Sequence, residues 1–231
     1  MTGPQLPLNL RAAPDQRLDA FHGAPAVVAA VAAAARGQQP DWLYLQGPVG
    51  AGKTHLLLAA CAEAAQADRR ALYLPLPAVA GQLAGALAGQ ESAALACLDG
   101  LEAIAGRRED EEALFHFHNR LRAAGGIALY AARSAPAALG LTLPDLVTRL
   151  GQCTRLTLES LDEDGRRDVL RARAARRGLV LDDAALDYLL RRVDRDLASL
   201  TALLDRLDRA SLAAQRRLTI PFLREQLGRN D

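Results

Sequence analysis

The stretch "LQGPVGAGKTHLL", residues 45–57, constrains the fold of this chain more than any other feature. It contains the pattern G-x-x-x-x-G-K-[ST] without a mismatch, between a short apolar run and an apolar segment with helical spacing. In this pattern backbone N–H groups at a helix start surround phosphate oxygens, a lysine reaches the terminal phosphates, and a hydroxyl can bind Mg²⁺. The predicted nucleotide-binding residues of this phosphate loop and its helix are Gly47, Pro48, Val49, Gly50, Ala51, Gly52, Lys53, Thr54 and His55.

Lys53 is the only lysine of the chain, although lysine and arginine together number 28. An ammonium is a compact charge that approaches a phosphate end-on, whereas a guanidinium is a planar fork suited to bidentate contacts. The lone ammonium therefore stands at the position where a phosphate loop requires one. His55 follows the loop threonine and is expected to contribute to helix packing rather than to catalysis.

The overall charge and the cysteines exclude several classes of protein. A formal net charge of +1 gives no overall attraction to nucleic acid. Cys61, Cys97 and Cys153 are far apart and form no Cys-x-x-Cys pair, so we expect neither a disulfide framework nor a zinc site. The cysteine usage fits a reducing cytoplasm. The apolar stretch at 24–35 is too short to span a bilayer and is interpreted as a buried helix rather than a signal or anchor, so we expect a cytoplasmic protein with no membrane partner.

Short apolar runs alternate with helical segments through the first two thirds of the chain. Because parallel strands need crossover connections, the alternation predicts an α/β fold with a five-stranded parallel sheet in a nucleotide-binding domain at 18–159. Beyond Asp162 apolar residues recur only at helical spacing, which predicts a small α-helical lid at 160–231. The proline-containing segment 1–17 is predicted to be a flexible tail. Strands are predicted at 42–46, 71–76, 93–99, 126–132 and 153–158, and helices at 25–36, 53–66, 77–87 and 109–124.

Asp99 ends the third predicted strand and is the candidate partner of Thr54 in binding Mg²⁺. Proteins that hydrolyse the nucleotide usually have an acid directly after this aspartate, and here that position is Gly100. Glu102 lies two residues further along and is expected to point elsewhere. The pattern therefore predicts nucleotide binding with weak or absent hydrolysis.

The order of these segments, with "LEAIAGR" directly after Gly100, resembles the AAA+ domain of the DnaA-related family. Three segments resemble more closely the Hda group of that family, the regulatory inactivators of DnaA: "LPDLVTRL" (143–150), "LASLTALLDRLDRAS" (197–211) and "RRLTIPFLRE" (216–225). The resemblance covers nearly the whole chain from Leu18 onward and implies an AAA+ P-loop NTPase fold. It implies ADP or ATP with Mg²⁺ as the ligand, and the analogy favours ADP.

The resemblance also gives two arginines candidate roles. Arg149 corresponds to an arginine finger that acts on the nucleotide of a neighbouring molecule; the alternative is a surface arginine at a helix C-terminus. Arg195 matches the lid arginine that senses phosphate within the same chain; the alternative is an ion pair with an acid on its own helix. At the end of the fourth strand, Arg133 and Ser134 stand where relatives usually have a short acid or amide beside an arginine, which weighs further against self-hydrolysis.

The tail contains "QLPLNL", residues 5–10, which resembles the Q-L-x-L-x-L hexapeptide that Hda proteins insert into the replication sliding clamp. An extended peptide could use its glutamine for polar contacts and its leucines as anchors in an apolar groove. Composition alone would favour an unstructured tail instead. The candidate clamp-binding residues are Gln5, Leu6, Leu8 and Leu10.

Histidines and the lid arginines carry weaker signals. His116 and His118 are two apart in a predicted helix, so they point in different directions and are not expected to form a metal pair. The arginines of "RRDVLRARAARR" lie close to acids, and a solvated helix face is the favoured interpretation over a contact with phosphate or with an acid of a partner; the acids are Asp162, Glu163, Asp164 and Asp168.

Together these features predict a nucleoid- or replisome-associated regulator that binds nucleotide, the DNA polymerase III sliding clamp and DnaA. It would stimulate hydrolysis of DnaA-bound ATP and so prevent re-initiation, acting as an activator with little ATPase activity of its own. Because the sequence ends just after the lid, without the helix-turn-helix module of DnaA initiators, contact with DNA is expected only through the clamp. The alternatives are an autonomous P-loop ATPase and a DnaA-like initiator or helicase-loading factor, and a homodimer or higher oligomer stays open.

Overall fold

The structure, a computed structural model, describes residues 17–38, 41–179, 181–192, 203–204, 206–210 and 219–227. These residues fall into two compact units. The first consists of the described residues within 1–21, 25–45 and 53–156, and the second of residues 22–24, 46–52 and the described residues from 157 onward. The predicted clamp-binding segment at 5–10 and Arg195 lie outside the described residues.

A five-stranded parallel sheet organises the fold, as the alternation of segments predicted. Its strand order is β2-β3-β4-β1-β5, so the strand before the phosphate loop lies inside the sheet. The backbones of β2, β3 and β4 pair in parallel, with Ala71 opposite Leu95 and Leu95 opposite Ile127. Strands β3 and β4 are almost completely buried, which explains their uninterrupted apolar sequences. The strands are β1 (Leu43–Gln46), β2 (Ala71–Pro75), β3 (Leu95–Asp99), β4 (Ile127–Ala132) and β5 (Thr154–Thr157).

Helices connect the strands of the sheet and cover it. The helix after the phosphate loop begins at Lys53 and ends at Gln66, the bounds that the sequence predicted. Short 3₁₀ turns occur at 18–20, 76–78, 101–103 and 136–138. The helices of this part of the chain are α1 (Pro25–Ala35), α2 (Lys53–Gln66), α3 (Leu83–Leu87), α4 (Arg108–Ala123) and α5 (Pro144–Gly151).

The prediction of one helix over 77–87 is wrong. A 3₁₀ turn covers Leu76–Ala78, and α3 begins only at Leu83. Between them Gly81 has a φ of +84°, a left-handed conformation that ends a right-handed helix and that glycine adopts readily. The carboxylate of Asp110 accepts hydrogen bonds from the N–H groups of Gly81 and Leu83, at 2.6 and 3.2 Å. A side chain from a distant helix therefore satisfies the backbone where the predicted helix breaks.

The second unit contains the helices of the predicted lid. Helix α6 (Glu163–Arg176) begins with Asp162, whose side chain accepts a 2.8 Å hydrogen bond from the Gly165 N–H as an N-cap. It is followed by α7 (Asp183–Arg192) and α8 (Ile220–Leu227). Apolar side chains of these helices form one core with residues 203, 204 and 207.

Arginines of α6 pair with acids of α7. Arg167 forms an ion pair with Asp187, and Arg171 donates a 2.6 Å hydrogen bond to Asp183. The predicted solvated helix face agrees with the exposed Arg171 but only partly with Arg167, whose side chain is 26% exposed. Within the described residues, no helix combines the length and the apolarity that crossing a bilayer requires.

Candidate nucleotide-binding site

The phosphate-loop sequence adopts a conformation that depends on its glycines. Gly50 and Gly52 have φ values of +82° and +89°, in the left-handed region that side-chain-bearing residues rarely occupy. Gly47 lies against the backbone of residue 158, because a Cβ at position 47 would be 2.4 Å from the Leu158 carbonyl oxygen. The loop ends where α2 begins, so the first helical turn, whose N–H groups point toward the helix N-terminus, follows the glycines directly. Such a turn is suited to surround an anion.

Thr54 and Asp99 meet although they are far apart in sequence. The Thr54 hydroxyl donates a 2.6 Å hydrogen bond to Asp99 Oδ2, and the Tyr73 hydroxyl donates to the same oxygen at 3.0 Å. Burial, together with the charge and hydrogen bond of Asp99, raises the pKa of Tyr73 above its ordinary value, so this phenol remains a donor. A hydroxyl and a carboxylate are hard oxygen ligands of the kind that Mg²⁺ prefers. The chemistry of this pair therefore fits the predicted metal ligands, and Tyr73 is a neighbour that sequence analysis missed.

Lys53 lies in a charged environment within the first unit. Partial burial lowers the pKa of its ammonium, while the negative charges of Glu102 and Asp99 act in the opposite direction. Arg133 adds a further lowering because its positive charge is close. Phosphate oxygens near Lys53 would favour the charged ammonium in the same way as these carboxylates do.

Glu102 is bound to Arg133 and is not a free carboxylate. Its Oε1 is 3.1 Å from Arg133 Nε, and its Oε2 accepts a 3.3 Å hydrogen bond from the Arg133 backbone N–H. The residue after Arg133, Ser134, accepts a 2.7 Å hydrogen bond from the Tyr44 hydroxyl through its backbone oxygen. The end of β4 is therefore tied to its surroundings by ionic and backbone contacts.

The position after Asp99 is shaped for glycine. Gly100 has a φ of +82°, and a Cβ built on it would lie 3.1 Å from Pro77 Cδ and 3.2 Å from Pro77 Cγ. The Gly100 N–H donates a 3.0 Å hydrogen bond to the carbonyl of Ala131, which fixes the backbone to the neighbouring strand. An acidic side chain at position 100 would thus require both a strained φ and movement of Pro77.

His55 is directed toward the start of the first unit. Its Nε2 is 2.9 Å from the backbone oxygen of Arg17, and its ring lies 5.6 Å from the ring of Phe21, centroid to centroid. These contacts agree with a packing role for the ring. That His55 also contributes to nucleotide binding stays a prediction.

Arg149 lies in the last turn of α5, half-buried. Among the described residues, no carboxylate lies within ion-pair distance of its guanidinium. Its positive charge acts on the buried His118, because burial and the charges of Arg122 and Arg149 together lower the pKa of His118 to about 4. An arginine at a helix C-terminus that forms no ion pair with another described residue fits both interpretations that the sequence left open.

His116 and His118 occupy opposite environments on α4. His118 is fully buried, its Nδ1 lies 2.9 Å from the Tyr130 hydroxyl, and its ring contacts Trp42. His116 is exposed. In the part of the chain that the structure describes, no group of three or more histidine, cysteine or acidic side chains is arranged to bind a metal ion.

Residues 162–227 match a family model described as "Hda, lid domain". Among solved structures, the fold is similar to domain III of the replication initiation protein DnaA from Thermotoga maritima, with a TM-score of 0.77, 21% identity, and coverage of 94% of this chain and 97% of that one. It is similar to AMPPCP-bound DnaA from Aquifex aeolicus, with a TM-score of 0.67, 22% identity, and coverage of 84% of this chain and 65% of that one. The Thermotoga maritima RuvB Holliday junction branch migration motor matches with a TM-score of 0.66, 18% identity, and coverage of 92% and 71%.

The parallel sheet, the phosphate-loop sequence and these neighbours define the chain as a protein of the AAA+ fold class with a helical lid region. The match over residues 162–227 shows that this segment resembles the lid domain of Hda, and the likeness to DnaA domain III is a likeness of fold.

Proposed function

We propose that this chain is an Hda-like regulator of replication initiation. It holds a nucleotide, ADP, in the phosphate loop and stimulates hydrolysis of the ATP bound to DnaA while docked on the DNA polymerase sliding clamp. In this proposal residues 18–159 form the nucleotide-binding domain, residues 160–231 form the lid, and Arg195 of the lid senses the bound phosphates. DNA is contacted only through the clamp.

Nucleotide binding is supported by the loop and by the pair beyond it. Gly50 and Gly52 adopt left-handed conformations, and α2 begins at Lys53, so a helix N-terminus, which attracts anions, follows the loop glycines directly. Lys53 supplies a positive charge next to these groups, and Thr54 and Asp99 would hold Mg²⁺. In support of the ligand class, a DnaA structure with the same fold carries AMPPCP.

The observation that carries the proposal is the geometry at Gly100. Alignment of the attacking water requires a base or a positioning side chain close to the terminal phosphate, and the position after Asp99 has none. Its positive φ and its closeness to Pro77 disfavour any side chain there. The nearest alternative carboxylate, Glu102, is engaged by Arg133. A pocket with these features binds a nucleotide without hydrolysing it efficiently.

Arg149 supplies the activating charge in trans. A guanidinium placed beside the transferring phosphoryl group of a neighbour stabilises the transition-state charge, with gains of about 10³–10⁵-fold in rate. The absence of an ion pair to Arg149 within the described residues supports this role, because a neutralised arginine would contribute less. The hydrolysed ATP belongs to DnaA, so no catalytic base is required in this chain.

Docking on the clamp rests on the sequence of residues 5–10. Gln5 would form the polar contacts, and Leu6, Leu8 and Leu10 would fill apolar pockets of the clamp. A peptide of this size binds with micromolar affinity, on the order of −8 kcal/mol. Several copies on one clamp, or a dimer of this chain, would strengthen the attachment by multivalency.

The proposal is tested by reconstitution of DnaA bound to labelled ATP, with and without sliding clamp loaded on DNA. The wild-type chain is expected to accelerate hydrolysis in the presence of loaded clamp, and Arg149→Ala is expected to lose that acceleration while still binding clamp. Arg155→Ala is the control, because Arg155 is an exposed arginine on the adjacent β5. Equal acceleration by wild type and Arg149→Ala would exclude Arg149 as the finger.

A further inference from the structure

Glu111 is a fully buried carboxylate in the first turns of α4. Burial of a charge is costly unless hydrogen bonds and opposite charges compensate it, so a buried carboxylate needs several donors. Its location near the helix N-terminus offers part of that compensation through the helix dipole. The remaining donors come from two segments outside α4.

Both oxygens of the Glu111 carboxylate are engaged. Oε1 accepts a 2.8 Å hydrogen bond from the Gly106 N–H in the turn before α4. Oε2 accepts hydrogen bonds from the Thr142 N–H at 2.8 Å, the Thr142 hydroxyl at 3.0 Å and the Leu143 N–H at 2.7 Å. One side chain therefore joins the turn that follows β3 to the residues that precede α5.

The contact with Leu143 caps the N-terminus of α5. Leu143 is the N-cap residue of that helix, and it provides no capping side chain. In a capping box, a glutamate in the first turn of the same helix accepts the N–H of the N-cap residue. In α5, Leu146 stands where that glutamate would be, so Glu111 of another helix takes over the bond to the N-cap N–H.

We propose that Glu111 is a positioning residue for Arg149: it fixes the start of α5 and thereby the place from which the arginine extends toward a partner. This inference rests on the proposed function, since it gives Glu111 a role in the same activation. Arg149 follows Leu143 by six residues, about 9 Å along a helix that rises ~1.5 Å per residue. Because the helix is so short, a tilt at its N-terminus would also displace Arg149.

The preceding residue provides a matched control. Asp110 is also buried, at 3% exposure, and also accepts hydrogen bonds from two backbone N–H groups, but these belong to Gly81, before α3, and to Leu83, the first residue of α3. The two carboxylates are adjacent in sequence and similar in burial, yet they hold different segments. A variant of Asp110 therefore reproduces the general cost of weakening a buried carboxylate in α4 without releasing α5.

The experiment compares Glu111→Gln with Asp110→Asn in the full chain. A carboxamide has one acceptor oxygen and one NH₂ donor, so it cannot accept hydrogen bonds on both sides as the carboxylate does. Hydrogen exchange is expected to quicken at Thr142 and Leu143 in Glu111→Gln, and at Gly81 and Leu83 in Asp110→Asn. Stimulation of DnaA-bound ATP hydrolysis is expected to fall on the order of 10–100-fold in Glu111→Gln and to stay near wild type in Asp110→Asn.

The outcomes separate this inference from the proposed function. If Arg149→Ala abolishes stimulation but Glu111→Gln stimulates like wild type, the positioning role is overturned and the proposed function stands. If Arg149→Ala stimulates like wild type, Arg149 is not the finger and the positioning role falls with it. If the wild-type chain itself does not stimulate hydrolysis of DnaA-bound ATP, the proposed function fails. Equal losses in Glu111→Gln and Asp110→Asn would also overturn the positioning role.

A milder variant covers the case in which Glu111→Gln does not fold. Thr142→Val removes only the hydroxyl donor and leaves the two N–H donors in place. It is expected to lower the maximal stimulation by a few-fold, without changing nucleotide affinity. Wild-type stimulation by folded Thr142→Val, with exchange at Leu143 accelerated, would count against the inference.

Discussion

The Thr54 hydroxyl donates a 2.6 Å hydrogen bond to the Asp99 carboxylate, from the second residue of α2 to the last residue of β3. The two residues that are candidates for binding Mg²⁺ are therefore hydrogen-bonded to each other. The very next residue, Gly100, turns the backbone into a left-handed conformation and carries no acid. In the proposed function, Asp99 serves nucleotide binding, and the lack of an acid at the next position disfavours hydrolysis.

The backbone at Gly100 is predicted to resist any side chain. Gly100→Ala should lower the free energy of unfolding by more than the ~1–2 kcal/mol of a left-handed alanine, because its Cβ also meets Pro77 at 3.1 Å. Gly89→Ala is the matched control, since Gly89 has a φ of +74° and open space where its Cβ would be. Denaturant unfolding of both variants measures the difference. Equal losses would mean that Pro77 does not restrict position 100.

The tail is predicted to carry clamp binding. Gln5→Ala combined with Leu10→Ala should weaken association with the sliding clamp by at least tenfold, because one polar contact and one apolar anchor are lost. Asn9→Ala is the control, since Asn9 is a spacer between anchors in the hexapeptide. Surface plasmon resonance with immobilised clamp measures both. Wild-type binding by the double variant would show that residues 5–10 are not the clamp-binding site.

The buried His118 is predicted to make stability depend on pH. Its pKa is about 4 in the folded chain and about 6.5 when unfolded, so the folded state binds fewer protons between these values. The free energy of unfolding should therefore be highest above about pH 6.5 and fall by up to about 3 kcal/mol as the pH approaches 4. The groups that face His118 are the Tyr130 hydroxyl, the Trp42 ring and the cations Arg122 and Arg149.

Two glutamine variants isolate this effect. His118→Gln keeps an acceptor for the Tyr130 hydroxyl but does not titrate, so its unfolding free energy should change less between pH 7 and pH 5 than that of wild type. His116→Gln, at an exposed position of the same helix, should keep the wild-type slope. Identical slopes for wild type and His118→Gln would show that His118 does not protonate on unfolding in this range.

The sequence predicted the elements whose signals are local. The parallel sheet and the bounds of α2 follow from apolar runs, helical spacing and the glycines of the loop, all of which act over a few residues. The end of β3 at Asp99 and the α6 start after Asp162 follow from the same kind of signal. Such features depend on hydrophobic periodicity and capping, which a single sequence displays directly.

Features that depend on distant contacts were missed. The segment 77–87 has helical composition, but the left-handed Gly81 and its hydrogen bond to the Asp110 carboxylate interrupt the helix. Because Asp110 is 29 residues away, no local pattern around Gly81 predicts this contact. The sequence assigns Tyr73 only to an apolar strand, whereas its hydroxyl donates a hydrogen bond to Asp99. The sequence does not distinguish the buried Glu111 from an ordinary acid of a first helical turn such as Glu109. The burial of Glu111 depends on segments that are distant in the sequence.

The central claim, that this chain holds its nucleotide and acts on another molecule's ATP, is tested most directly by ATP turnover of the purified chain alone. With labelled ATP and Mg²⁺, the account predicts stoichiometric nucleotide binding that Lys53→Ala removes, and phosphate release no faster than that of Lys53→Ala itself. Multiple-turnover phosphate release by the wild-type chain without DnaA or clamp, abolished by Lys53→Ala, would contradict the account and identify an autonomous ATPase.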